Sequence, residues 1–399
     1  MSMSDRDSTV DVRVLFTLTL VHFLGDFYSS FIHPLLPLFV KRFALSLAQV
    51  GLITGLSRLL AFIVQPTVGY MADHYRSRFF VLAGPLLPIL FIPLVGVAPS
   101  FPLLLAFIAL GSVGSSMFHP TLAGMVSAYA GRHFGFSMSI FNMGGTLAFG
   151  VGPLFITTFV GSLGLSWTPA TAILGLVAMV LPFRIIPHPQ GEGLRRYGFL
   201  GSLRQILGGV WRHILIIWTV MVLRAFVGQS FLTFIPVLYA REGFSLLSIG
   251  TMVSLFTVAG ALSGLLAGRM ADRIGYKPIF LATFGLATPG LYLLVHARGG
   301  WVYPSVFLTG FLVLATLPLG VAMAQEFAPK GRSMVSSLMM GLAFGTGGML
   351  TPLTGKLADI FSIREVLSAL SILPVLCVGL IVLLPEARAL RKEDGDPSD

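Results

Sequence analysis

Twelve apolar runs follow one another along the chain, separated by short polar breaks. They fall at residues 12 to 40, 46 to 72, 79 to 98, 101 to 127, 133 to 160, 165 to 186, 213 to 240, 246 to 271, 278 to 296, 301 to 327, 332 to 360 and 364 to 385. A bilayer core about 30 Å thick takes roughly 20 apolar residues of helix to cross. Each run therefore predicts one membrane-spanning α-helix, and the chain is expected to be an all-α membrane protein of twelve such helices.

Composition supports this reading. With 55% hydrophobic and 11% charged residues, no water-soluble fold hides so much apolar surface. A net charge of +10 by itself suggests nucleic acid, but basic residues of membrane proteins gather in cytoplasmic loops, and no polar domain is left to bind nucleic acid. Most of the 26 Lys and Arg fall on one side if both termini are cytoplasmic. That sets the expected orientation. The single cysteine, Cys377, excludes an intrachain disulfide. Residues 1–11 lack the basic leader and cleavage site of a signal peptide, so the first run is expected to stay in the mature protein. The expected domains are a cytoplasmic N-terminal tail (1–11), a six-helix bundle (12–186), a cytoplasmic linker (187–212) carrying Arg195, Arg196, Arg204 and Arg212, a second six-helix bundle (213–385) and a charged cytoplasmic tail (386–399).

The two bundles repeat one another. Gly69-Tyr70-Met71-Ala72-Asp73-His74-Tyr75-Arg76-Ser77-Arg78 returns 199 residues later as Gly268-Arg269-Met270-Ala271-Asp272-Arg273-Ile274-Gly275-Tyr276-Lys277. The same offset aligns Pro37 with Pro236, Gly51 with Gly250, Gly111 with Gly310, and Pro153-Leu154 with Pro352-Leu353. Two pseudo-symmetric six-helix bundles joined by an intracellular linker resemble the plan of major facilitator transporters, built from repeats that rock about a central site.

In the repeated stretch, Gly69 and Gly268 are expected to allow close helix approach, and Asp73 and Asp272 place a carboxylate at the membrane boundary. The helix starts after Arg132 and Arg332 offer positive partners. Asp73 is then expected to clamp the eleventh span and Asp272 the fifth, with Arg76 and Arg273 in the basic tails. The other reading is a solvated charge cluster that obeys topology rules. The cluster resembles the loop motif of the major facilitator superfamily, whose implied role is gating. The first copy departs from it at His74. The glycines of the fifth and eleventh runs, Gly144, Gly145, Gly150, Gly152 and Gly341, Gly345, Gly347, Gly348, suit tight packing or a flexing interface equally.

Ionisable groups inside the membrane cost several kcal/mol unless paired or wetted. Here they are His22 and Asp26 in the first run, Arg58 in the second, His119 in the fourth and Arg224 in the seventh. His22 lies one helical turn from Asp26 on the same face. Asn142, Gln65 and Gln229 add hydrogen-bonding capacity. Asp26 and Arg58 are read either as a buried ion pair that locks two helices or as substrate- and proton-handling groups. His119, followed by Pro120, is read either as a packing histidine or as a cavity group.

His22-Phe23-Leu24-Gly25-Asp26, Pro34-Leu35-Leu36-Pro37-Leu38, Gln65-Pro66 with Gly69, Gly114-Ser115-Ser116-Met117-Phe118-His119-Pro120, Gly131-Arg132-His133 and Ser139-Ile140-Phe141-Asn142-Met143-Gly144-Gly145, ending in Gly152-Pro153-Leu154, carry a family resemblance. Through them the chain resembles the fosmidomycin-resistance family of the major facilitator superfamily. That resemblance implies a proton-driven antiporter that expels small toxic compounds across a bacterial inner membrane, with Asp26 and His119 as its intramembrane polar residues. One departure stands out: the family's His-Pro pair is commonly followed by glutamate, and here that position is Thr121.

The expected function is therefore secondary active export of a small anionic or amphiphilic compound by proton antiport with rocker-switch alternating access. The alternative is a proton-coupled symporter for uptake of a small organic anion. Two arginines against one aspartate lean towards an anion. No metal-ligand cluster, nucleophile arrangement or nucleotide-binding loop suggests an enzyme or a cofactor. The expected partners are the small-molecule substrate, protons and the lipid bilayer, with the chain acting as a monomer.

Overall fold

The structure, a computed structural model, describes residues 11–74, 78–129, 134–187, 210–327, 335 and 338–385. Among these residues there is no β-strand. In a bilayer every backbone N–H and C=O must be satisfied within the segment, and a helix does this alone. The helices are α1 (Val12–Ser29), α2 (Ile32–Phe43), α3 (Leu47–His74), α4 (Phe79–Phe91), α5 (Phe101–Tyr129), α6 (Phe134–Leu163), α7 (Thr171–Ile185), α8 (Trp211–Arg241), α9 (Leu246–Ile274), α10 (Tyr276–His296), α11 (Val302–Leu314) and α12 (Thr316–Phe327). After them come a π-helical turn (Leu338–Ala343), then α13 (Phe344–Met349), α14 (Thr351–Ile360), α15 (Ile363–Leu370) and α16 (Leu373–Val382).

Eleven helical stretches of the described residues are long and apolar enough to cross a membrane. The remaining run, 332 to 360, lies partly outside the described residues and is segmented where described: a π turn leads into α13, and Leu350 separates α13 from α14. A π turn adds one residue to a helical turn and is frequent at functional sites. The first run is likewise split at Ser30–Phe31, just ahead of Pro34, whose missing N–H weakens the helix there. Large apolar side chains such as Phe16, Ile173, Val177, Leu265 and Leu383 are exposed. On a membrane protein these are the surfaces that lipid covers.

The contacts divide the chain into two compact units. The first comprises Met1–Leu45, Leu59–Arg195 and Tyr239–Ser254; the second comprises Ser46–Arg58, Arg196–Leu238 and Leu255–Asp399. The beginning of α3 is thus packed in the second unit and the beginning of α9 in the first.

Within the first unit, α1 packs against α6, α5, α4 and α7. Tyr28 is fully buried, and its hydroxyl donates to Thr171 O at 2.6 Å. A Cβ at Gly250, at the start of α9, would stand 2.8 Å from Pro153 O on α6. The second unit holds the equivalent contact: a Cβ at Gly51 would lie 2.6 Å from Thr351 O and 2.7 Å from Pro352 Cα. Its core includes Ile217, Phe280, Leu319, Met339 and Ile381. The N-terminus of α3 is capped from α14, where Asp359 accepts from Leu47 N at 2.7 Å and Ala48 N at 2.9 Å.

The 199-residue repeat is visible in hydrogen bonds too. Arg78 Nη2 donates to Phe183 O at 2.6 Å at the end of α7, and Lys277 Nζ donates to Val382 O at 3.0 Å at the end of α16. Each base satisfies an orphan carbonyl at a helix C-terminus. The last basic residue of the repeated stretch therefore does a structural task within its own unit.

Candidate functional site

Two polar clusters sit inside the helices, one in each unit. In the first unit, α1 places His22 and Asp26 one turn apart, and α5 brings His119 to the same carboxylate. His22 Nε2 lies 3.1 Å from Asp26 Oδ2, and His119 Nε2 lies 3.3 Å from Asp26 Oδ1. All three reacting atoms fall within 4.8 Å of one another. Asp26 and His22 are buried, whereas the side chain of His119 keeps 32% exposure, so it is the open end of the cluster.

The far side of each ring is anchored. His22 Nδ1 lies 2.9 Å from Phe141 O, and His119 Nδ1 lies 2.6 Å from Ser115 O. A carbonyl oxygen only accepts, so each Nδ1 carries a proton and donates it. Each Nε2 therefore faces the carboxylate as a lone pair when its ring is neutral and as a donor when its ring is charged. Two neutral rings around an ionised Asp26 set lone pairs against both oxygens. One added proton relieves one contact, and two relieve both. Phe141 stacks on His22 at 4.1 Å and Phe118 on His119 at 4.4 Å, which holds the rings in this pose. Gly145 on α6 completes the wall, since a Cβ there would lie 2.6 Å from His22 Nε2.

In the second unit, Arg58 from the end of the exchanged part of α3 donates through Nε to Gln229 Oε1 at 3.0 Å. Gln229 is buried and is steadied by Thr233, 3.5 Å from its Nε2. The guanidinium of Arg58 lies 4.4 Å from the centre of the Phe344 ring, and that of Arg224 lies 5.9 Å from it. Arg224 is 3% exposed. Its Nε and Nη1 are buried without a hydrogen-bond partner among the described residues. A small cavity borders it, lined by Val227, Phe284, Val313 and Cys377 among others.

The expected site residues are thus divided between clusters. Asp26 is partnered by His22 and His119, and Arg58 by Gln229 and Phe344, in place of the Asp26–Arg58 pair that the sequence left open. Asn142 is exposed, and its main-chain carbonyl accepts from Thr146 Oγ1 at 3.1 Å. Thr121, where the family resemblance leads one to expect glutamate, is buried and donates back to Met117 O at 3.0 Å within its own helix. Of the gating candidates, Arg76, Arg132 and Arg332 and the side chains of Asp73 and Asp272 lie outside the described residues. Arg273 is exposed, and the helical backbone at Gly69 is described without its surroundings. A Cβ at Gly268 would meet no described atom within 4 Å, so the close approach expected there is not seen. Phe344 was not singled out by sequence. Its one signal is the repeat, which aligns it with Gly145, the residue against the histidine cluster.

Twelve apolar runs, a duplicated half and buried ionisable clusters narrow the family, and comparison with known proteins decides it. The model of the Major Facilitator Superfamily matches residues 18–333 and 217–397. The chain belongs to the Major Facilitator Superfamily. This facilitator is 28% identical over 382 residues to the fosmidomycin resistance protein of Escherichia coli strain K12, covering 94% of this chain and 93% of that one. It is 25% identical to an uncharacterized transporter of the same superfamily, YfnC of Bacillus subtilis strain 168, over 97% of this chain and 96% of the other. Among solved structures, a bacterial homologue of the human lysosomal transporter Spinster, in an inward-facing and occupied conformation, superposes with a TM-score of 0.77 at 17% identity, covering 96% of this chain and 98% of that one. That likeness speaks for the fold. The facilitator is a multi-pass membrane protein of a small-molecule transporter family.

Proposed function

We propose that this facilitator exports a small anionic or amphiphilic compound in exchange for protons, by rocker-switch alternating access. The observation that carries the proposal is the His22–Asp26–His119 cluster, a buried carboxylate whose two oxygens each meet an imidazole nitrogen that must gain a proton to bond well. Such a cluster is stable when proton-loaded and strained when emptied, because an unpaired charge or lone-pair conflict inside a membrane is costly. The 32% exposure of the His119 side chain gives protons a way in, and the burial of His22 and Asp26 keeps the store away from solvent.

The relative from Escherichia coli, named for resistance to fosmidomycin, supports export of a toxic compound. Thr121 leaves no acid next to the His119–Pro120 pair, so the proton-carrying role is assigned to Asp26 together with the two histidines that face it. Gating is assigned to the repeated stretches, with Asp73 and Asp272 set against the helix starts at Arg332 and Arg132 and with Gly69, Arg76, Gly268 and Arg273 at their sides. A bacterial inner membrane with both termini cytoplasmic, and a monomeric working unit, complete the proposal.

Accumulation of radiolabelled anionic antibiotics and metabolites in proteoliposomes under an imposed pH gradient tests it. Antiport predicts accumulation of one or more of them when the lumen is the acidic side. Accumulation only when the lumen is the alkaline side would instead mean uptake by proton symport. No pH-driven accumulation of any compound would refute proton coupling.

A further inference from the structure

We infer that His22, Asp26 and His119 form a binding site for a divalent transition-metal ion of the zinc type. Binding of the ion stands on the geometry alone; that the bound ion also blocks transport rests on the antiport proposal.

The donor set supplies the main reason. Two imidazole nitrogens and a carboxylate suit Zn²⁺, Co²⁺ and Ni²⁺, whereas Mg²⁺ and Ca²⁺ take oxygen ligands throughout. The three ligand atoms converge on one spot, all within 4.8 Å of one another. Two ligands at tetrahedral positions around a zinc ion stand about 3.3 Å apart. His22 Nε2 lies 3.1 Å from Asp26 Oδ2, and His119 Nε2 lies 3.3 Å from Asp26 Oδ1. The carboxylate thus stands between the rings, and each of its oxygens is one coordination edge from a nitrogen.

Unmet bonding points to the same spot. Asp26 is 4% exposed, and its Oδ1 has no hydrogen-bond partner among the described residues even though His119 Nε2 is 3.3 Å away. The tautomer explains this: a neutral ring with its proton on Nδ1 turns a lone pair, not a donor, towards the carboxylate. A metal ion accepts the lone pairs of both rings and of the carboxylate together.

The surroundings hold the ligands ready. A ligating histidine typically donates its other ring N–H to a carbonyl or carboxylate, which fixes the ring and raises its basicity. His22 Nδ1 does so to Phe141 O at 2.9 Å and His119 Nδ1 to Ser115 O at 2.6 Å. Gly145 keeps one side of the site clear of any side chain, since a Cβ there would stand 2.6 Å from His22 Nε2 and 2.8 Å from Asp26 Oδ2. The partly exposed side chain of His119 gives the ion a way in and leaves room for water as a further ligand. The sequence shows no metal motif because spacing within α1 supplies only two of the ligands, and the third comes from α5. An ion held here occupies the two nitrogens on which the antiport proposal loads protons.

Equilibrium binding to the purified full-length protein in detergent, freed of any histidine tag and stripped of metal with EDTA, tests the site. The probes are Zn²⁺ and Co²⁺, with Mg²⁺ as the counterpart. Zn²⁺ is expected to raise the melting temperature, as a ligand of the native state does, and Mg²⁺ to leave it unchanged. Bound Co²⁺ is expected to show the visible absorption of an ion with nitrogen ligands. Affinity for Zn²⁺ is expected to be at least about tenfold weaker in His119→Gln, Asp26→Asn and Gly145→Ala, and unchanged in His296→Gln on α10 of the second unit. His119 is the open end of the cluster, so His119→Gln is expected to fold as the wild type does. In proteoliposomes Zn²⁺ is expected to abolish pH-driven accumulation. Wild-type protein that binds neither Zn²⁺ nor Co²⁺, or binding undiminished in both His119→Gln and Asp26→Asn, would overturn the inference even where proton antiport is intact. Accumulation unaffected by saturating Zn²⁺ would overturn the block alone. Zinc binding that is weakened in the variants of a protein without pH-driven accumulation supports the site and refutes the antiport reading.

Discussion

At the scale of residues, the histidine cluster makes a prediction that needs no substrate. Both Nδ1 atoms donate to carbonyls, so neutral His22 and His119 are each the Nδ1–H tautomer. Nitrogen-15 NMR of histidine-labelled protein is expected to show this tautomer for each ring wherever that ring is neutral. An Nε2–H tautomer at either ring would contradict the geometry. The other titratable groups of the helices packed on α1 stand at helix ends: Tyr129 on α5 and Arg184 on α7, with none on α4 or α6. Two of the three residues of this cluster were legible together in the sequence, where His22 and Asp26 stand four residues apart on one helix. The addition of His119 depends on how α5 crosses α1, which spacing within either helix does not record. For the same reason sequence left Asp26 and Arg58 as possible partners: depth in the membrane is read from position in a run, but direction around the helix axis is set by packing.

At the scale of elements, glycine separates tight crossings from open ones. Val at Gly51 or Gly250 meets backbone atoms of Thr351, Pro352 and Pro153. Overpacking of this kind costs about 1–3 kcal/mol, so both variants are expected to melt several degrees below wild type in a detergent thermal-stability assay. Gly268→Ala, with open space around it, is expected to melt at or above the wild-type temperature, since alanine favours helix by up to about 1 kcal/mol. If Gly268 serves the gate, that same variant slows transport without loss of stability. Asp359→Ala removes the cap on two main-chain N–H groups of α3 and is expected to cost about 1 kcal/mol, read as a lower melting temperature. The number and order of the helices were plain in the apolar runs because lipid enforces length and hydrophobicity. The break in the eleventh run was not, since a π turn and an interruption of the helix at Leu350 leave no mark in hydropathy.

At the scale of the whole molecule, the repeat links fold to function. Sequence aligned Gly51 with Gly250 and Pro153 with Pro352, and in the structure each glycine packs on the proline stretch of the other copy. The beginnings of α3 and α9 are exchanged between units in a matched way. Matched crossings are what a transporter needs if its two repeats pivot symmetrically. In the antiport proposal, the His22–Asp26–His119 cluster is the group that carries protons. The decisive measurement compares two activities of Asp26→Asn in proteoliposomes. The account predicts that substrate-for-substrate exchange persists while pH-driven accumulation falls to the level of empty liposomes. Retention of pH-driven accumulation in Asp26→Asn would contradict it.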